Sequence, residues 1–146
     1  MKIAIGADHR GLPLKNKLIP FLKTKGHGVT DLGAYVTNPP SDYPDIAGKV
    51  ARQIARGRFD RGVLICGTGI GMSISANKVK GIRAAHCTSL TEARLSREHN
   101  DANVLTMGAM ITPVKKAKQI LGTWLKTRAA GGRHRRRVHK IAQLEK

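Results

Sequence analysis

Short runs of β-forming residues alternate with longer amphipathic runs along this chain, and this alternation constrains the fold more than any other feature. Apolar residues in the amphipathic runs recur at helical spacing, as Leu14, Leu18 and Leu22 do. Strands separated by helices of this length usually pair in parallel through right-handed crossovers. The sequence therefore predicts a doubly wound, Rossmann-like α/β sandwich of three layers around a five-stranded parallel sheet. The predicted strands cover residues 3–7, 29–32, 62–66, 82–87 and 104–107.

The length of 146 residues is that of one ordinary domain, and a single domain over residues 1–146 is expected. Pro20 lies inside the first amphipathic run, where it predicts a kink or a break. The segment GGRHRRR at residues 131–137 is interpreted as the hinge into a basic C-terminal helix at about 133–144. Other helices are predicted through Ile46, Val50 and Ile54, and near residues 72–79, 91–97 and 114–127.

The chain is strongly basic, with a formal net charge of +18 that is unevenly distributed. Residues 115–146 contain eleven Lys and Arg against one Glu. A basic segment of this kind fits nucleic acid, a phosphorylated small molecule or a solvated cationic surface, and composition alone does not choose among them. Single-strand binding usually involves more aromatic residues than the 3% found here. Nucleic-acid binding is therefore the weaker alternative, from another functional class.

Neither a targeting segment nor a membrane span is predicted. The first apolar run, residues 3–7, ends at Asp8 and is too short for the core of a signal peptide. No stretch approaches the roughly 18 apolar residues that a membrane-spanning helix needs. A cytoplasmic location is expected, and in that compartment Cys66 and Cys87 are expected to be thiols rather than a disulfide.

The segment ICGTGIG at residues 65–71 predicts an anion site at the end of the third strand. Ligands of such sheets bind beyond the carboxyl ends of the strands. The alternating glycines Gly67, Gly69 and Gly71 let the backbone approach a ligand and point successive N–H groups at one spot. Their spacing fits neither a dinucleotide fingerprint nor a P-loop. Beside these donors Cys66 is a candidate base or nucleophile, and a small buried core cysteine followed by a tight turn is the simpler alternative.

Polar residues accompany other predicted strands as well. Asp8 and His9 follow the first strand, residues 41–43 lie in the loop after the second, and residues 99–101 precede the fifth. Taken singly, such residues are more often caps, turn residues or surface groups than catalysts. Together they predict a group of polar side chains in loops at one edge of the sheet.

Six segments, which span nearly the whole chain, carry a resemblance to a known family: GADHRG, SDYPD, ICGTGIGMSISANK, GIRAAHC, LSREHNDANVL and GGRHRRRV. They resemble the ribose-5-phosphate isomerase B family, which includes galactose-6-phosphate isomerase subunits. The resemblance implies an aldose–ketose isomerase that interconverts ribose 5-phosphate and ribulose 5-phosphate through a cis-enediolate. Such a reaction needs a base, donors for the developing oxyanion and an acid that opens the sugar ring. An isomerase of another aldose or of a six-carbon sugar phosphate is the alternative within this class.

The resemblance also implies roles for individual residues. It implies Cys66 as the base and His99 as the residue that opens the ring. The residues implied to hold the enediolate are Thr68 and the backbone of Gly67, Gly69, Ile70 and Gly71. Those implied to bind the substrate are Asp8, Tyr43 and Asn100 for the hydroxyls, and His9, Arg133 and Arg137 for the phosphate.

The resemblance implies no cofactor and no metal, because the proton transfer needs none. It implies a sugar phosphate as ligand and a homodimer or tetramer with sites at the subunit boundary, with no specific nucleic acid and no membrane as partner. The sequence departs from the family at Met110, where an arginine that helps to bind phosphate is common. Either Lys115 or Arg135 compensates, the phosphate subsite is weaker, or the preferred sugar differs.

Overall fold

The computed structural model describes residues 1–145 and confirms the predicted α/β sandwich. Strands and helices alternate along the chain, and a sixth helix follows the last unit. The strands are β1 (Lys2–Ala7), β2 (Gly28–Asp31), β3 (Arg61–Cys66), β4 (Ala84–His86) and β5 (Val104–Gly108). The helices are α1 (Leu12–Thr24), α2 (Tyr43–Ala55), α3 (Ile70–Ala76), α4 (Leu90–Asn100), α5 (Val114–Lys126) and α6 (Arg133–Gln143).

The five strands form one parallel sheet in the order β2-β1-β3-β5-β4. The chain runs outward from β1 to β2 and then crosses back to β3 on the other side of β1. At such a reversal a crevice forms outside the carboxyl ends of the strands. The register aligns Ala7 with Ile65 and Cys66 with Gly108. The loops that follow β1, β3 and β5 therefore begin side by side.

Two apolar cores cover the two faces of the sheet. Helices α1, α4 and α5 pack on one face, where Leu18, Leu105 and Trp124 are fully buried. Helices α2 and α3 pack on the other face, where Val50 and Met72 are fully buried. Burial of a large apolar side chain contributes about 1.5–3 kcal/mol. The apolar residues that recur at helical spacing in the sequence are thus the ones that pack both helix layers against the sheet.

Helix α1 continues past Pro20 to Thr24, so the break predicted there is wrong. Pro20 is exposed, whereas Leu18 and Leu22 on either side of it are fully buried against the sheet. Proline removes one backbone hydrogen bond from the helix. The burial of both leucines offsets that loss.

Helix α3 begins and ends earlier than the sequence predicts, and β4 is shorter. Gly69 adopts a left-handed conformation (φ 84°) immediately before the helix. Asn77 follows its last turn, and its side chain donates to Ala84 O at 2.9 Å and accepts from Ala84 N–H at 2.8 Å. The Asn77 side chain thus bonds to the backbone of Ala84, the first residue of β4, and the helix ends before it.

The predicted basic terminal helix is α6, which packs against α4 and has no buried residue. Its apolar residues Ile141 and Leu144, the latter just past the last turn, are exposed. Within residues 1–145, none of the helices combines the length and the apolar character that crossing a membrane requires.

Candidate active site

Cys66 is the last residue of β3 and lies under the glycine turn of residues 67–71. Gly69 N–H donates to Cys66 Sγ at 3.1 Å. Gly69 has a left-handed φ, and a Cβ added there would lie 2.7 Å from the carbonyl carbon of Met107. Only glycine fits this position. Cys66 is 4% exposed, as a packing cysteine would be. Its sulfur nevertheless accepts a hydrogen bond from the backbone of the glycine turn.

The second cysteine, Cys87, is also buried, but its thiol donates hydrogen bonds, whereas Cys66 accepts one. Burial in the core raises the pKa of the Cys87 thiol to about 11. Its Sγ–H lies 3.8 Å from Ala85 O and 3.9 Å from Ser96 Oγ, both of which can accept. Cys87 is therefore protonated at neutral pH.

Tyr43 and Thr68 border the same glycine turn. Tyr43 is the first residue of α2, and its ring packs so closely on Gly71 that a Cβ there would lie 2.7 Å from two ring carbons. Thr68 is exposed, and its Oγ1 accepts from Ile70 N–H at 3.3 Å. The turn thus has a phenol on one side and a hydroxyl at its tip.

Asp8 and His9 lie beside this turn, in the loop after β1. Asp8 is buried, and its Oδ1 accepts from Arg10 N–H at 3.0 Å and Gly11 N–H at 2.9 Å. The Nδ1 atom of His9 lies 3.2 Å from Ser41 O and 3.3 Å from Ser41 N. Because Ser41 occupies Nδ1, Nε2 is the ring atom of His9 that can meet a ligand.

Two residues that the sequence reasoning missed shape this neighbourhood. Lys15 is fully buried in α1, where its Nζ donates to Asp31 Oδ1 at 2.7 Å and to Ala34 O. It thereby anchors the start of the loop that carries Ser41. The Arg10 side chain passes over Gly67, and its Nη1 donates to Met110 Sδ at 3.5 Å. Its position directly after Asp8 and His9 in GADHRG was the available signal.

The remaining predicted residues lie at the ends of α4 and α6. The His99 ring stacks on the His134 ring with centroids 4.2 Å apart and planes 1° from parallel. Burial, followed by the positive charges of His99, Arg133 and Arg137, lowers the pKa of His134. Arg133 and Arg137 are exposed and four residues apart, so they share one face of α6.

The expectation that all polar segments meet at one edge of the sheet is wrong for His99 and Asn100 within one chain. Helix α4 runs back along the sheet, so its last residues lie near the start of β5, whereas Cys66 pairs with Gly108 at the end of β5. The rise of a parallel strand from Val104 to Gly108 is about 13 Å. The physical reason is that His99 and Asn100 end the helix that leads into β5, and such a connection lies at the amino end of the strand, whereas Cys66 lies at the carboxyl end of its strand.

The candidate residues of one chain therefore lie in two separate groups. The cysteine edge comprises Asp8, His9, Arg10, Tyr43, Cys66, Gly67, Thr68, Gly69, Ile70, Gly71 and Met110. The histidine edge comprises His99, Asn100, Arg133 and Arg137. The cysteine edge contains a sulfur with an N–H donor, and the histidine edge contains an imidazole and two guanidinium groups.

Comparison with known proteins identifies the class of this arrangement. A profile described as Ribose/Galactose Isomerase matches residues 3–141. Ribose-5-phosphate isomerase B of Escherichia coli is 45% identical over 144 residues, which are 99% of this chain and 96% of that protein. The structure of ribose-5-phosphate isomerase B from Clostridium thermocellum superposes with a TM-score of 0.97 at 51% identity, over 99% of this chain and 97% of that one.

A further solved structure contains a ligand. Ribose-5-phosphate isomerase B from Mycoplasma genitalium, with bound ribulose-5-phosphate, superposes with a TM-score of 0.95 at 42% identity. The match covers 99% of this chain and 95% of that one. The present chain is accordingly an isomerase and belongs to the ribose/galactose isomerase family.

Proposed function

We propose that this protein interconverts ribose 5-phosphate and ribulose 5-phosphate, with Cys66 as the base. The observation that carries the proposal is the contact from Gly69 N–H to Cys66 Sγ, which places the sulfur against a backbone donor at the base of the glycine turn. Support for the substrate comes from the Mycoplasma genitalium relative, which binds ribulose-5-phosphate. The chemical groups of the proposed reaction are all side chains and backbone of this protein and atoms of the substrate.

In the proposed reaction the Cys66 thiolate removes the proton from C2 of the open-chain aldose and returns it to C1. The hydroxyl proton on O2 meanwhile moves to O1, so that the aldehyde becomes a hydroxyl and the alcohol at C2 becomes the ketone. The intermediate is a cis-enediolate, whose negative oxygen needs preorganised donors. Thr68 and the remaining backbone N–H groups of the glycine turn supply those donors. Asp8 binds a sugar hydroxyl through Oδ2, because its Oδ1 is engaged by two backbone N–H groups. Tyr43, at the border of the turn, binds a second hydroxyl.

The complete site is proposed to form between two copies of the chain. His99 and Asn100 lie a strand length away from Cys66 within one chain, so neither can act on a sugar held at the glycine turn of the same chain. In a two-fold symmetric dimer each contact occurs twice, so each cysteine edge can meet the partner's histidine edge. His99 then opens the ring, Asn100 binds a hydroxyl, and the exposed pair Arg133 and Arg137 binds the phosphate.

A substrate panel tests the proposed function. Initial rates are measured for ribose 5-phosphate, galactose 6-phosphate and free ribose over a range of concentrations. The highest kcat/KM is expected for ribose 5-phosphate, because its phosphate can meet the proposed arginine contacts and the Mycoplasma genitalium relative binds its five-carbon product. A higher kcat/KM for the six-carbon phosphate or for the free sugar would contradict the proposal.

His99→Asn should impair ring opening without removing the proton transfer. The variant is expected to lose at least tenfold in rate on ribose 5-phosphate, in line with the usual contribution of general acid–base catalysis of about 10²–10⁴. The loss should be smaller from ribulose 5-phosphate, which has no furanose ring, because the aldehyde product can leave and close in solution. Initial rates in both directions provide the measurement. Equal losses would assign His99 a different role.

A further inference from the structure

We propose that Arg10 is a phosphate-binding residue of the cysteine edge and takes the place of a cation at position 110. The inference rests on the proposed function, in which the substrate carries a phosphate. Arg10 lies in the segment GADHRG, but none of the roles implied by the resemblance falls on it.

The backbone fixes the starting point of the Arg10 side chain. Arg10 N–H donates to Asp8 Oδ1 at 3.0 Å, and the next N–H, that of Gly11, donates to the same oxygen at 2.9 Å. The side chain then crosses the glycine turn, where Arg10 Cδ would lie 3.3 Å from a Cβ on Gly67. Gly67 therefore leaves the space through which Arg10 reaches the mouth of the site.

The guanidinium of Arg10 ends beside Met110. Its Nη1 donates to Met110 Sδ at 3.5 Å, and this sulfur would lie 3.0 Å from a Cβ on Gly67. A thioether is a weak acceptor without charge. The contact orients the guanidinium without neutralising it, so most of its five N–H donors stay available.

Arg10 has no acidic partner in the described part of the chain. The four ion pairs of residues 1–145 involve Lys15, Arg83, Arg94 and Arg97. The Arg10 side chain is exposed at the edge of the turn, next in sequence to His9. An arginine without a counter-ion, beside a histidine whose Nε2 is unoccupied, forms a pair of donors suited to a phosphate.

Arg10 fits this role better than the cations that the sequence suggested. Arg135 lines a cavity of about 210 Å³ with Glu98 and His99, so it lies beside the histidine edge and not at the glycine turn. Lys115 lies in the first turn of α5 and is exposed. The cation that touches Met110 is Arg10, which is 100 residues away in sequence.

The test combines removal and relocation of the charge. Arg10→Ala should raise KM for ribose 5-phosphate about tenfold and leave kcat within about twofold, as loss of uniform binding does. Met110→Arg in the Arg10→Ala background should recover most of that loss, because it returns a guanidinium to the same place. Met110→Arg alone should change KM by less than about twofold, since two guanidinium groups there repel each other. Steady-state kinetics of the four proteins provide the comparison.

Two matched variants separate the local contact from general effects. Arg56→Ala removes the same charge at the far end of α2, where the side chain is exposed, and should leave KM unchanged. Arg10→Lys keeps the charge and should retain part of the affinity. Thermal unfolding should be close to wild type for Arg10→Ala, because its contacts with Asp8 use the backbone.

Calorimetric titration with inorganic phosphate tests Arg10 independently of turnover. The wild-type protein should bind phosphate, and Arg10→Ala should weaken that binding about tenfold, or about 1.4 kcal/mol. Equal phosphate affinity of wild type and Arg10→Ala, or no binding by the wild type, would overturn the assignment of Arg10. Loss of phosphate binding in Arg10→Ala, from a wild type that does not isomerise ribose 5-phosphate, would support Arg10 and refute the proposed function instead.

Discussion

Cys66→Ala is expected to lower kcat for ribose 5-phosphate about 10³-fold, because the variant lacks the group that moves the proton. The substitution also removes the acceptor of Gly69 N–H, and a buried donor without a partner costs about 1–3 kcal/mol of the free energy of unfolding. Substrate affinity should change little, since the sugar and phosphate contacts are made by other residues. Steady-state rates, thermal unfolding and calorimetric titration with ribose 5-phosphate provide the measurements.

Two companion variants make that result specific. Cys66→Ser keeps an acceptor for Gly69 N–H and should recover stability, yet it should stay inactive because a serine hydroxyl does not ionise near neutral pH. Cys87→Ala removes a protonated core thiol and should keep kcat within about twofold, with a stability loss of about 1 kcal/mol. Near-normal turnover of Cys66→Ala would reduce Cys66 to a packing residue.

Mixed dimers of two impaired variants should regain activity if the two edges of different copies form one site. In a dimer of Cys66→Ala with His99→Asn, one site combines the intact cysteine edge of one subunit with the intact histidine edge of the other. The second site contains both defects. Random pairing of the two subunits makes half of the dimers mixed, and each mixed dimer has one intact site of two. About a quarter of the wild-type rate on ribose 5-phosphate is therefore expected from the mixture, and about half from the isolated mixed dimer. Co-expression with two affinity tags isolates the mixed species for measurement.

Variants of the same edge provide the control for this experiment. A mixed dimer of His99→Asn with the double variant Arg133→Ala and Arg137→Ala has a defect in each histidine edge, so neither site is intact. No recovery is expected from that pair. If the Cys66→Ala and His99→Asn pair also failed to recover, each chain would have to complete its own site, and the proposed subunit boundary would be refuted.

The sequence predicted those features that depend on neighbours along the chain. The β-forming runs and the helical spacing of apolar residues predicted the sheet and the two helix layers. An element that is buried on one face places its apolar residues at the period of a helix or a strand, and this period can be read from neighbouring residues. The turn around Cys66 was predictable for the same reason, since alternating glycines need only a few residues to direct an N–H at the sulfur. Asp8, His9 and Tyr43 were predictable as its neighbours because parallel strands end at one edge.

The predictions from the sequence were wrong where tertiary packing outweighed a local conformational preference. Pro20 indicated a kink or a break, but the burial of Leu18 and Leu22 keeps α1 continuous across it. The end of α3 is set by Asn77 reaching Ala84, a contact that no periodic pattern encodes. Propensities describe isolated segments, and contacts between segments decide these boundaries.

The sequence by itself determined the sandwich, the glycine turn and the cysteine at its base. Only the tertiary structure decided that His99 lies a strand length from Cys66, because the direction of α4 relative to β5 depends on how the chain crosses the sheet. Only the tertiary structure brought Arg10 to Met110, a contact across 100 residues of chain. Local patterns repeat within a few residues, whereas the meeting of distant side chains depends on strand order, and strand order results from packing of the whole sheet.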